Sequence, residues 1–169
     1  PAARRSLQRM GIIDEREGGL PAGSLANQNA SLVRAALAGN KGALVSRWGH
    51  ILLRRALASR LDAPKDMNPA DFTAMRAALL LRMGEADAAR ALVQDIDPGN
   101  YSDALADAAL DAYSATGDFT GICPTVAAKA GGRKEPRWQV ARDICAAFQG
   151  DGAGAMQRLD RATGGGLMP

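Results

Sequence analysis

The sequence predicts an all-α fold, an array of antiparallel helical hairpins with about seven or eight helices behind an extended N-terminal arm. Three observations carry this. Alanine makes up about a fifth of the 169 residues and β-branched residues are few, which favours closely packed helices over sheets. Gly84-Glu85, Gly117-Asp118 and Gly150-Asp151 are separated by 33 residues twice, each following a longer helical stretch and preceding a shorter one. Apolar residues keep the same register. Phe72, Leu105 and Trp138 fall twelve residues before the glycine, Leu79, Ala112 and Cys145 five before it, and Ala89, Ile122 and Ala155 five after it.

In chain order, residues 1–28 read as the arm. Gly18-Gly19, Pro21 and Gly23 break any period, and a basic start (Arg4, Arg5, Arg9) precedes an apolar patch at Met10, Ile12 and Ile13 that is expected to dock onto the helices behind it. A helical domain over 29–163 follows. Its first helix runs near Asn29 to Ala38 and stops at Gly39-Asn40. The second runs from about Gly42 to Arg60, with Leu44, Trp48, Ile51, Leu52 and Arg55 along one amphipathic face, before Pro64 ends it. Asn68 as cap, Pro69 in the first helical position and Asp71 near the positive end mark the start of a helix to Met83. Gly84 breaks it, and a shorter helix to about Ile96 ends at Pro98-Gly99-Asn100. Tyr101 to Thr116, a shorter segment to Ala130, Pro136 to Gln149 and Ala153 to Ala162 complete the series, and residues 164–169 read as a flexible tail. That tail, and a start at Pro1, are expected of a mature form or a fragment.

The stretch Leu81-Arg82-Met83-Gly84-Glu85-Ala86-Asp87-Ala88-Ala89-Arg90-Ala91-Leu92, with its period near 33, its Gly-acid turn and its small residue five positions on, resembles the tetratricopeptide-repeat family. The resemblance covers about residues 68–162. Ankyrin repeats share the period but their Thr-Pro-Leu-His turn is missing. The resemblance implies a stacked right-handed superhelix that binds other proteins or peptides rather than performing chemistry.

The residues that could carry chemistry are sparse. His50, the only histidine, has no second histidine or carboxylate three or four residues away, so it reads as a packing residue rather than a base or metal ligand. No phosphate loop and no Gly-x-Ser-x-Gly elbow is present, and two separate cysteines make no zinc site. A paired-carboxylate site stays open on residue count alone. No enzyme activity and no cofactor is expected. No apolar run reaches the ~18 to 20 residues of a membrane span.

The +3 net charge comes from 21 basic and 18 acidic residues mixed along the chain, without the clustered basic stripe and stacking aromatics of a nucleic-acid binder. Asp103, Asp107 and Asp111 form an acidic stripe at i, i+4 and i+8. Either arginines of adjoining helices, Arg76 and Arg142 among them, compensate the stripe, or Asp107 and Asp111 face a concave groove and meet a basic or polar peptide. Arg47, Arg54, Arg55 and Arg60 make the second helix basic, and Arg47, Arg54 and Arg55 join the three aspartates as candidate partner-binding residues.

Cys123 and Cys145 are centred on residue 134, in the loop between two antiparallel helices, and should lie level across that hairpin at the ~5.5 Å Cα separation of a disulfide. Pro124 places the helix start at Cys123, with the proline in its first turn. A bond there predicts an exported, oxidising location such as a bacterial periplasm. The reading is a non-enzymatic protein- or peptide-binding scaffold of a bacterial cell envelope. Its alternatives are a helical accessory domain of a larger cell-wall-acting enzyme, or a weak nucleic-acid or anionic-surface binder working through the arginine-rich helix.

Overall fold

The structure, a computed structural model, describes residues 7, 9–42 and 45–164. The described residues are mostly helical, with eight α-helices: α1 (Ala30–Gly39), α2 (Arg47–Ala58), α3 (Pro69–Arg82), α4 (Ala86–Gln94), α5 (Asp103–Ala115), α6 (Cys123–Lys129), α7 (Pro136–Phe148) and α8 (Gly152–Gly164). Arg4 and Arg5 of the arm, Leu44 of the second helix's apolar face and residues 165–169 of the tail lie outside the described residues.

The starts follow local chemistry. The Asn29 carboxamide oxygen accepts from the Ser31 and Leu32 amides, Asn68 does the same for Ala70 ahead of Pro69, and the Ser102 hydroxyl accepts from Leu105. Helix α2 begins at Arg47 rather than near Gly42, because Ser46 is extended and its hydroxyl accepts the Gly49 amide. The helix after Gly117 begins where Pro124 placed it and ends at Lys129. It starts at Cys123 with Pro124 in its first turn, where a missing amide costs nothing.

The stops at Gly84, Gly117 and Gly150 share one geometry. Each glycine is left-handed, with φ of 79°, 68° and 104°. Each donates its amide three residues back, to Leu81, Ser114 and Ala147, and the acid after it donates five back, to Leu80, Tyr113 and Ala146. This is the Schellman cap, which favours glycine because a Cβ is strained at that φ. Its chain reversals pair α3 with α4 and α7 with α8, while α5 lies against both α3 and α4, and α6 packs on α7. All nine register positions named from the sequence are buried, from Phe72, Leu105 and Trp138 to Ala89, Ile122 and Ala155.

The arm contributes one strand of the single two-stranded sheet among the described residues. Arg9–Met10 (β1) pairs antiparallel with Leu61–Asp62 (β2) just after α2, burying Met10. Short 3-10 turns at 15–17 and 22–25 make the arm partly ordered rather than fully extended. Close approach requires glycine at position 11, since a Cβ there would lie 2.2 Å from the Ser59 carbonyl oxygen. No described helix is long and apolar enough to cross a membrane.

Candidate interaction surface

Cys123 and Cys145 are disulfide-bonded, with Cα atoms 5.5 Å apart and a sequence separation of 22. Cys123 opens α6 and Cys145 lies in the last turns of α7, so the bond ties a seven-residue helix to its neighbour. Cys145 is buried, while Cys123 borders an open groove shared with Val126, Ala127 and Ala146.

The acidic stripe is compensated, but by arginines other than the two expected. Arg133 reaches Asp103 at 3.0 Å and Asp107 at 2.7 Å, and Arg137 reaches Asp107 at 2.7 Å and Asp111 at 3.0 Å. Positive and negative side chains thus alternate along one seam between α5 and the start of α7. Trp138 completes it, fully buried with its indole N–H donating to Asp107 Oδ1 at 2.9 Å, while the Arg133 guanidinium stacks 4.5 Å from the ring centre. Asp107 and Asp111 therefore meet their own chain. Partial burial pushes the Asp111 carboxyl up against the opposing pull of Arg137. The matching four-residue spacing of Arg133 and Arg137 was the available sequence signal.

Arg76 and Arg142, expected to neutralise the stripe, instead cap helix ends. Arg76, 1% exposed, donates to the Leu57 carbonyl (2.8 and 2.6 Å), the Met10 carbonyl (2.8 Å) and the Ser59 carbonyl, joining α3 to the end of α2 and to the arm. Burial lowers this guanidinium to about 9, so it stays charged at neutral pH, facing the negative end of α2. Arg142 likewise takes the Ala130 and Arg133 carbonyls after α6, and Arg82 takes the Leu37 and Asn40 carbonyls at the C-terminal end of α1.

A second seam joins α4 to the turn after α5. Both Nε and Nη2 of Arg90 donate to Asp118 Oδ2, the former at 2.9 Å, and the Gly121 amide donates to Asp118 Oδ1 at 2.8 Å. Arg90 first, then the Gly121 amide, lowers the Asp118 pKa from the usual carboxylate range. A depressed folded pKa means that this stabilisation is present above the unfolded value of ~3.9 and is lost as pH falls through the folded one. Asp118→Asn should accordingly lower the melting temperature at pH 7, and by less at an acidic pH below that unfolded value. Equal shifts at both pH values would show that the charge contributes nothing.

The basic helix α2 carries the remaining candidates. His50 Nε2 lies 2.8 Å from Glu85 Oε1 and Arg54 lies 3.5 Å from Glu85 Oε2, fastening α2 to the turn between α3 and α4. Glu85 is the carboxylate that His50 lacked in sequence. Leu57 and Ala58 are buried on this inner side. The amphipathic face expected to pack is split, with Trp48 74% and Leu52 65% exposed and Arg55 beside them, while Ile51 is half-buried. Arg47 and Arg55 have no carboxylate partner among the described residues.

An open cleft of about 410 Å³ lies between α7 and α8, lined by Gln139, Asp143, Arg158 and Arg161, with Arg158 already bound to Asp143 and Asp151. No cluster of three or more histidine, cysteine or acidic side chains suited to a metal is found among the described residues. No known protein family, curated protein or solved structure matches the chain.

Proposed function

We propose that this chain is a non-enzymatic interaction module, an array of tetratricopeptide-like hairpins that binds another protein or peptide in an oxidising compartment such as a bacterial periplasm. The observation that carries the reading is the threefold Schellman cap at 33-residue spacing, with the same nine positions buried around it. In a repeat array each unit covers the apolar side of its neighbour and leaves extended surface on the outside, an arrangement suited to recognition. The disulfide supports the compartment, since such bonds persist where thiols are not kept reduced.

The test begins with disulfide-intact protein as bait in an envelope extract. Each captured protein is then purified and titrated by calorimetry. Saturable one-to-one binding at about micromolar affinity or tighter is expected. Failure of every purified candidate to rebind would overturn the reading. Alkylation of both cysteines in unreduced protein taken from its own cells would remove the argument for export.

A further inference from the structure

We propose that the outward face of α2, built on Trp48 and Leu52 and edged by Arg47 and Arg55, docks an acidic amphipathic helix of another protein. The proposal rests on the interaction-module reading and gives it a site and a partner chemistry.

Trp48, Leu52 and Arg55 stand at i, i+4 and i+7, one stripe of a helix whose opposite side is closed by Leu57, Ala58 and the bonds of His50 and Arg54 to Glu85. A surface helix ordinarily turns its apolar stripe inward. Here two large apolar side chains face water on a helix that Glu85 prevents from rolling over. A tryptophan flanked by arginines is the composition found at the energetic centre of protein interfaces, and a stripe with this spacing fits the matching stripe of a second helix.

Charge selects the occupant. No acidic residue occurs between Glu17 and Asp62, whereas Arg34, Lys41, Arg47, Arg54, Arg55 and Arg60 do. A second copy docked α2 to α2 would oppose Arg47 and Arg55 to their own equivalents, and α2 itself carries no carboxylate to offset them. An anionic bilayer would satisfy the arginines, but two apolar side chains are a meagre strip for seating a helix in the lipid interface. A helix with leucine or phenylalanine on one stripe and glutamate or aspartate along its edges satisfies both the apolar and the charged parts.

The probe is a synthetic helical peptide with a leucine stripe and glutamate elsewhere, titrated against the intact oxidised protein beside a lysine counterpart of the same pattern. Trp48 serves as reporter, since the only other tryptophan, Trp138, is buried. The glutamate peptide should shift Trp48 emission to the blue and bind at least tenfold more tightly than the lysine peptide, less so as salt rises. Trp48→Ala with Leu52→Ala should weaken it about tenfold or more, read by peptide fluorescence anisotropy. Arg47→Glu with Arg55→Glu should reverse the preference between peptides. These side chains are exposed, so unchanged circular dichroism is expected for both variants. Absent binding, equal binding of the two peptides, tighter binding to anionic vesicles, or self-association abolished by the Trp48/Leu52 variant would each overturn the proposal. If a natural partner found by affinity capture binds that variant as tightly as the parent, this site is wrong while the interaction-module reading stands.

Discussion

Replacing Cys123 and Cys145 together by alanine should lower the melting temperature by roughly 10 °C. The bond closes a loop of 22 residues' separation, and the chain-entropy estimate for such a loop is ~3 kcal/mol. In a domain of this length each kcal/mol corresponds to roughly 2–4 °C. The effect should be local before it is global. Helix α6 has seven residues and no side-chain cap at its start, so it depends on neighbours rather than on its own propensity. Hydrogen exchange should therefore rise first in α6 and α7, with α3 to α5 protected, and reduction of the native protein should reproduce the pattern. A double variant melting within about 2 °C of the parent, less than 1 kcal/mol on that scale, would assign the stability to packing alone.

Trp138→Ala should be at least as damaging, with an expected loss of about 3–5 kcal/mol. The indole is fully buried where α7 meets α5, and its removal leaves a cavity that a rigid helix end cannot collapse to fill. It also removes the N–H that Asp107 accepts and the ring on which Arg133 lies, at a place where Arg133 is itself only 13% exposed. Trp138→Phe separates the parts, because it keeps most of the apolar volume and loses the hydrogen bond, and should cost about 1–2 kcal/mol. Chemical denaturation followed by circular dichroism reads both. Equal losses for the two variants would mean that the hydrogen bond, rather than burial, holds the seam.

Asn68-Pro69 gave the start of α3, and the three Gly-acid pairs gave the stops of α3, α5 and α7, because caps are local chemistry read within a few residues. The cysteine pair was readable as well, since equal distances from a hairpin loop bring two positions level whatever surrounds them. The start of α2 lies several residues later than the apolar pattern implies, because Ser46 caps it. The two-residue strands leave no local signal, because their pairing depends on Arg9–Met10 meeting Leu61–Asp62 from far along the chain.

By itself the sequence determined the all-α class, the glycine stops of α3, α5 and α7 and the pairing of the cysteines, since each follows from spacing along one helix or across one turn. Which arginine meets which partner was decided only by tertiary structure. Arg76 and Arg142 turned inward to carbonyls at helix ends while Arg133 and Arg137 took the aspartate stripe, and nothing in spacing alone distinguishes a guanidinium that will lie beside a helix terminus from one beside a carboxylate. The orientation of α2 belongs to the same class. Its amphipathic pattern specifies that one side is apolar, but the contacts of Leu57, His50 and Arg54 with the rest of the fold decided that Trp48 and Leu52 face outward.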